Sequence, residues 1–213
     1  MNRGNGRPMI GITVGDPAGI GPEIVVKALQ DERVRQSVRP VVYADRACLE
    51  QTLGMLGVEM ELNVVSAPGE GVDADGVIDY VDVGSLDGPS DYGQISAAGG
   101  QAGYAYLQAA IDAALAGDVV GLATAPLNKE SLQAGQVPFI DHTAVLMDRA
   151  AHREAMTLFV VRSLRIFFLT RHISFREIAD AITREGIVEA LPLCELYLRQ
   201  LGIDRPKIAV AAL

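Results

Sequence analysis

The chain has 213 residues, of which 49% are hydrophobic and 21% are charged, so a sizeable core is available and disorder is not expected. The formal net charge of −9 argues against free nucleic acid and anionic membranes as partners, because binding to either depends on clustered Lys and Arg. No apolar stretch has the length of a membrane-spanning helix, and the polar first residues contain no secretory signal, so we expect a cytoplasmic protein.

The first predicted elements are a strand, a glycine-rich turn and a helix. The apolar residues 9–14 favour a buried strand, and Gly15-Asp16-Pro17-Ala18-Gly19-Ile20-Gly21-Pro22-Glu23 follows it directly. The glycines allow a tight turn, Pro22 is tolerated in a first helical turn, and Glu23 suits the positive end of a helix. The glycine spacing fits neither the dinucleotide motif nor the Walker motif, so a ligand-facing loop and a merely tight turn both stay open.

Strand and helix patterns then alternate along the chain. Predicted strands cover residues 39–44, 62–65, 77–83, 119–123, 156–161 and 164–169. Predicted helices cover residues 46–56, a long Ala-rich stretch that Ser96 begins and Gly117 closes, and residues 185–201, with a further helix opening at the capping box Ser174-x-x-Glu177. Asp45 can cap the first of these helices and Gly57 can end it, while Pro192 should kink or split the last. The alternation predicts an α/β fold with a largely parallel sheet.

Two lobes are predicted, with residues 1–126 forming the first and residues 127–213 beginning the second. Residues 207–213 have a strand pattern with no turn, helix or polar segment after it. Because a buried parallel strand is normally followed by a crossover connection, we expect the C-terminal part of the fold to be missing and the first lobe to be incomplete without it.

Two segments at predicted strand ends carry polar groups that could bind a ligand. His172 follows a very apolar strand, and ligands bind at the carboxyl ends of strands in such sheets, although a hydrogen-bonded histidine packed on the next helix is the structural alternative. No second metal-type ligand stands at a suitable spacing, so this segment alone would form an incomplete metal site. In Thr124-Ala125-Pro126-Leu127-Asn128-Lys129, Asn128 can cap a short helix, and Lys129 could meet an anion or stay solvated.

Taken together, four segments resemble the 4-hydroxythreonine-4-phosphate dehydrogenase family, and they occur in the expected order. They are the glycine-rich motif at residues 15–23, the motif at residues 124–129, His142-Thr143 and Thr170-Arg171-His172. The resemblance implies a two-lobed α/β/α fold similar to isocitrate and isopropylmalate dehydrogenases. It further implies a homodimer with its active site in the cleft between the lobes.

The resemblance also implies a reaction, namely the NAD-dependent oxidation of the secondary alcohol of a phosphorylated four-carbon hydroxy acid, with decarboxylation. NADP is the alternative cofactor. A divalent metal (Zn, Mg or Co) held by three histidines would polarise the reacting oxygen. His172 corresponds to the first of these metal ligands, the other two lying beyond residue 213, and His142 and Thr143 correspond to the substrate-binding pair. No catalytic or cofactor-binding residue is assigned in this portion, which we expect to be inactive alone.

Within the family, the Asp-containing glycine-rich motif and the residue 124–129 motif look more like the branch that acts on 4-phospho-D-threonate or erythronate. The pyridoxine-biosynthesis branch acts on 4-hydroxy-L-threonine 4-phosphate. The family usually has Gly-His-Thr-Glu where this chain has Asp141-His142-Thr143-Ala144. If Asp141 faces the substrate it should favour an amino group, whereas we predict that it caps the following helix and leaves the phospho-threonate assignment in place. A cis-dihydrodiol dehydrogenase of the same family and a non-catalytic binding relative are the alternatives.

Overall fold

The structure is a computed structural model that describes residues 6–150, 155–170 and 173–211. Its contacts divide the chain into two compact units, Met1–Arg153 and Glu154–Leu213. The lobe boundary predicted after residue 126 concerns the complete two-lobed fold and stays a prediction. In the described ranges, no helix is both long enough and apolar enough to cross a membrane.

The described part of the first unit contains five strands and six helices. The strands are β1 (Met9–Thr13), β2 (Arg39–Ala44), β3 (Glu61–Val64), β4 (Val77–Asp82) and β5 (Gly121–Thr124), and the helices are α1 (Gly21–Gln30), α2 (Glu32–Ser37), α3 (Arg46–Leu56), α4 (Ala97–Ala116), α5 (Lys129–Ala134) and α6 (His142–Arg149). A short 3-10 turn, Pro68–Glu70, lies between β3 and β4. The predicted strands of this region are therefore confirmed, whereas α2 was not predicted.

The five strands form one sheet in the order β3-β4-β2-β1-β5, and every neighbouring pair is parallel. β2 is the central strand, and β1 lies between β2 and β5, so that Gly11 pairs with Val41 on one side and Leu122 on the other. This confirms the predicted α/β fold with a parallel sheet. Because all five strands run in one direction, the segments that follow them leave from a single edge of the sheet.

A continuous apolar core covers the sheet. Its buried members come from the strands and from α1, α3 and α4, and include Val26, Val42, Leu49, Tyr80 and Tyr106. The apolar runs of β1 and β2 lack a polar alternation because strands of such a sheet are covered by helices on both faces. The core thus fixes the carboxyl edge of the sheet, where the glycine-rich motif at residues 15–23 and the motif at residues 124–129 begin.

Most predicted helix ends are confirmed, but Asp45 acts differently. Gly57 and Gly117 end α3 and α4 in the left-handed conformation, with φ of 63° and 83°. Ser96 caps α4 by accepting a hydrogen bond from the Gly99 N–H. Asp45 occupies the N-cap position of α3 without making a side-chain capping bond. Its carboxylate instead accepts hydrogen bonds from the Ser85 N–H at 2.8 Å and the Tyr106 hydroxyl at 2.6 Å, which join the segment after β4 to α4.

The second unit contains an antiparallel hairpin and two helices in its described residues. The hairpin pairs β6 (Leu158–Val161) with β7 (Leu164–Phe167), and the helices are α7 (Phe175–Ala181) and α8 (Arg184–Gln200). At the predicted capping box, the Glu177 carboxylate accepts hydrogen bonds from both the N–H and the hydroxyl of Ser174. Pro192 lies inside α8, which continues through it. Of the two expectations for Pro192, a kinked or a split helix, the split helix is therefore wrong.

The strand predicted at residues 207–213 is wrong for the part of it that the structure describes. Residues 207–211 form no strand, and residues 212 and 213 lie outside the described ranges. A strand pattern becomes a strand only when a neighbouring strand accepts and donates its backbone hydrogen bonds. Within the described residues, β6 and β7 pair only with each other.

Candidate functional site

The glycine-rich motif at residues 15–23 and the motif at residues 124–129 follow different strands and lie against each other at the carboxyl edge of the sheet. The Ala125 N–H donates to the carbonyl oxygen of Thr13 at 3.0 Å, which extends the pairing of β1 with β5 by one step. Further along both segments, the Asp16 N–H donates to the carbonyl oxygen of Pro126, also at 3.0 Å. The glycine-rich loop and the segment after β5 therefore form one structural unit.

Close packing of the backbone explains two of the glycines in the first motif. Gly15 has φ of +72°, and a Cβ atom at this position would lie 2.2 Å from the carbonyl oxygen of Pro126. At Gly21, a Cβ atom would lie 2.0 Å from the carbonyl oxygen of Val14. Both distances are far inside van der Waals contact, so only glycine fits at either position. The tight-turn interpretation therefore has a direct structural basis, while a ligand-facing role of the loop stays a prediction.

A third element, α4, supports both segments through a face of glycines that was not predicted from the sequence. A Cβ atom at Gly100 would lie 1.9 Å from the carbonyl oxygen of Ser131, and one at Gly103 would lie 2.7 Å from Leu127 Cδ2. Glycines inside a helix are costly unless packing requires them. Their spacing in an otherwise Ala-rich helix was the available signal that another backbone approaches α4.

Asp16 lies beside the beginning of α4. The residue is 3% exposed, and its carboxylate accepts a hydrogen bond from the Ala18 N–H at 2.9 Å. The Asp16 carbonyl accepts a second bond from the Gly19 N–H, and a Cβ atom at Gly99 would lie 3.0 Å from Asp16 Oδ1. Asp16 thus shapes the glycine-rich loop from inside and rests against the glycine face of α4.

The predicted cap at Asn128 is confirmed. Asn128 Oδ1 accepts hydrogen bonds from the N–H groups of Glu130 at 2.9 Å and Ser131 at 3.2 Å, which fixes the start of α5. Lys129 is exposed. An anion-binding role for Lys129 stays a prediction.

His142 and Thr143 begin α6, and the structure brings His142 to the segment after β5. His142 Nε2 donates a hydrogen bond to the carbonyl oxygen of Ala125 at 3.2 Å. Burial lowers the pKa of the imidazole below its ordinary value, against the opposing effects of this hydrogen bond and of the Asp141 charge. Thr143 follows it as a partly buried residue of the same helical turn. His142, Ala125 and the glycine-rich loop therefore lie together at the carboxyl edge of the sheet.

The predicted position of Asp141 is confirmed as well. Asp141 is the N-cap residue of α6, and its carboxylate accepts a hydrogen bond from the Ala144 N–H at 2.9 Å. A carboxylate at this position satisfies a free backbone donor and lies at the positive end of the helix.

The predicted metal ligand, His172, lies outside the described residues. Within the described ranges, no group of three or more His, Cys, Asp or Glu side chains could hold a metal ion. The described residues therefore do not form a metal site by themselves, and the assignment of His172 as a metal ligand stays a prediction.

An open parallel α/β sheet with shaped loops at its carboxyl edge is the architecture in which ligands bind at that edge. Comparison with known proteins defines the family more closely. Residues 36–213 match the family described as "Pyridoxal phosphate biosynthetic protein PdxA". The chain belongs to this family, as its motifs suggested.

Three individual proteins show how the likeness is distributed. The chain is 41% identical over 208 residues, 97% of its length, to a protein of Symbiobacterium thermophilum named "Putative D-threonate 4-phosphate dehydrogenase", and it spans 62% of that protein. A crystal structure of a 4-hydroxythreonine-4-phosphate dehydrogenase from Burkholderia phymatum matches 95% of the chain with a TM-score of 0.87 and 34% identity, and 62% of its own length is covered. A terephthalate 1,2-cis-dihydrodiol dehydrogenase from Burkholderia xenovorans matches 94% of the chain and 60% of its own, with a TM-score of 0.64 and 26% identity.

Proposed function

We propose that the full-length protein containing this chain is a dehydrogenase that oxidises the secondary alcohol of a phosphorylated four-carbon hydroxy acid, with NAD as the hydride acceptor and with decarboxylation. The observation that carries the proposal is the match over nearly the whole chain to a relative named for D-threonate 4-phosphate dehydrogenation. The hydrogen bond between His142 and Ala125 supports the proposal, because it holds the implied substrate-binding pair, His142 and Thr143, at the carboxyl edge of the sheet.

4-Phospho-D-threonate is the proposed substrate, ahead of 4-hydroxy-L-threonine 4-phosphate. The two molecules differ in carrying a hydroxyl or an amino group beside the carboxylate. An unengaged carboxylate at position 141 would favour the amino group. The Asp141 carboxylate is instead engaged with the Ala144 N–H as the cap of α6, which supports the phospho-threonate assignment.

The residues of this chain are proposed to bind and orient the substrate. His142 and Thr143 would contact it, with the Ala125 carbonyl holding the imidazole in place. NAD would supply hydride acceptance and a divalent metal would supply Lewis-acid polarisation. We propose His172 as one ligand, with the others outside this chain.

A homodimer in the cytoplasm is the proposed working form of the protein. The cis-dihydrodiol alternative is weaker, because the dehydrogenase of that type resembles the chain less closely in fold and in sequence than the 4-hydroxythreonine-4-phosphate dehydrogenase does. A non-catalytic relative would keep ligand binding but lack turnover.

The test is NADH formation by the natural full-length gene product with 4-phospho-D-threonate, and release of carbon dioxide in the same reaction. We expect turnover with this substrate and less with 4-hydroxy-L-threonine 4-phosphate. A clear preference for the amino-acid phosphate would contradict the substrate assignment. Binding of either compound without any NADH formation would identify the non-catalytic relative instead.

The role of His172 is tested in the same protein. His172→Ala should strip the metal and abolish turnover while leaving the circular-dichroism spectrum unchanged, with His152→Ala as the matched control. Full metal content in the His172→Ala protein would contradict the assignment.

A further inference from the structure

We propose that His142 faces the substrate with a hydrogen-bond acceptor, and that the group it binds is an alcohol hydroxyl rather than a phosphate oxygen. This inference rests on the proposed function in taking His142 as a substrate contact. It adds which partner donates and which accepts the hydrogen bond in that contact, and hence which part of the substrate lies there.

The polarity follows from the partner of the other ring nitrogen. The Ala125 carbonyl oxygen can only accept a hydrogen bond, so the proton between the two groups must be on His142 Nε2, 3.2 Å away. A neutral imidazole carries one proton, and its second nitrogen then holds a lone pair. Nδ1 of His142 is therefore the acceptor. Burial, which disfavours the charged ring, acts in the same direction.

The negative charge beside His142 also disfavours an anion as its ligand. Asp141 places a carboxylate at the N-terminus of α6, where the helix would otherwise attract an anion. That carboxylate already receives the Ala144 N–H. A phosphate arriving at this turn would meet the negative charge of Asp141 and the lone pair of Nδ1.

A hydroxyl group does not meet this repulsion, because it can donate its proton to Nδ1. The proposed substrate carries two hydroxyls on the carbons between its carboxylate and its phosphate. We therefore assign one of them to His142, and the phosphate to groups elsewhere in the full-length protein.

Nitrogen-15 spectroscopy of histidine-labelled full-length protein tests the tautomer directly. Two-bond couplings between ring protons and ring nitrogens separate an Nε2–H ring from an Nδ1–H ring, and loss of one set of signals in His142→Gln assigns the residue. We expect the Nε2–H form at neutral pH, and a shift of the Nδ1 signal on adding 4-phospho-D-threonate but not on adding inorganic phosphate. An Nδ1–H or doubly protonated ring, or an equal response to inorganic phosphate, would overturn the proposal.

Two substitutions test the contribution of the contact to affinity. His142→Gln can keep an N–H donor for Ala125 and an oxygen acceptor for the ligand, whereas His142→Leu keeps neither. The dissociation constant for 4-phospho-D-threonate should rise by about tenfold in the Leu variant and by less than about threefold in the Gln variant, the size of one hydrogen bond. Equal losses in both variants would overturn the assignment of an acceptor.

The proposed function can fail independently of this inference. If the full-length protein neither binds nor oxidises the phosphorylated substrates, the proposed function is refuted. The spectrum of the ligand-free protein still decides whether His142 presents an acceptor. If His142→Leu does not fold, the tautomer of the unmodified protein and its response to the two ligands decide the question alone.

Discussion

The two compact units bury their apolar residues very differently. In the first unit, side chains such as Val42, Leu49 and Tyr106 are completely or almost completely enclosed. Among the described residues of the second unit, only Cys194 and Leu198 are buried, and Phe175 is 90% exposed. The sequence predicted strands in both units from the same kind of apolar run. Local pattern therefore sets the element, whereas burial depends on how many elements are present to cover it.

Truncation of a core side chain gives the largest expected effect and tests this difference directly. Leu49→Ala, in the first unit, should lower the free energy of unfolding by about 3 kcal/mol, because it leaves a cavity beneath the sheet. Leu164→Ala, on the exposed hairpin of the second unit, is the matched control and should cost less than about 1 kcal/mol. Urea denaturation of the two variants measures both. Similar losses would show that the second unit is packed as tightly as the first.

The glycine-rich loop allows backbone strain to be separated from packing. Gly15 and Gly57 both have positive φ, but a Cβ atom would contact the backbone only at Gly15 and meets nothing within 4 Å at Gly57. Gly57→Ala should therefore cost about 1 kcal/mol from conformation alone, and Gly15→Ala about 2–3 kcal/mol because overpacking is added. Thermal denaturation with matched controls checks this. Equal costs would mean that the segment after β5 can move away from the glycine-rich loop, which would contradict the close packing of Pro126 on Gly15.

The buried tyrosines supply a test of the Asp45 hydrogen bond. Tyr106→Phe removes the hydroxyl that donates to Asp45, so it should cost about 1–2 kcal/mol by leaving a buried carboxylate oxygen without that donor. Tyr43→Phe is the control, since the Tyr43 hydroxyl is buried without a hydrogen-bond partner in the described structure and its loss should be neutral. Equilibrium unfolding of both variants provides the comparison. An equal cost for Tyr43→Phe would show that simple loss of volume accounts for the effect.

Much of the fold could be predicted because its signals are local. The apolar run at residues 39–44 gives β2 with the predicted bounds, and Gly117 ends α4 as expected. The errors concern partners that are distant in the sequence. Asp45 was expected to cap α3, but Ser85 and Tyr106 offer its carboxylate better donors. Residues 207–211 have a strand pattern without a neighbouring strand among the described residues.

The candidate site divides in the same way between local and distant signals. Local capping chemistry correctly predicted Asp141 and Asn128, since an Asp or Asn directly before a helix needs only the next few N–H groups. The contact of His142 with Ala125 joins residues 17 positions apart. No spacing rule in the sequence indicated it. The glycine face of α4 was missed for the same reason, because the segments that pack on it follow different strands.

The pH dependence of stability gives the smallest expected effect. Because the pKa of His142 is lowered in the folded protein, the unfolded chain binds more protons below its ordinary value of about 6.5. The contribution of His142 is therefore complete above that pH, begins to be lost as the pH falls below it, and is fully lost only below the lowered pKa of the folded protein. Since the side chain is only half-buried, the slope should stay well below the limit of about 1.4 kcal/mol per pH unit for one proton. His142→Gln removes the titrating group while keeping a donor for Ala125. The difference in unfolding free energy between the two proteins should therefore be constant above the ordinary imidazole pKa of 6.5, and below that pH it should change in favour of the variant. A difference that changed in the opposite direction would mean that the folded protein binds the proton more tightly, and His142 would then be a cationic donor at its site.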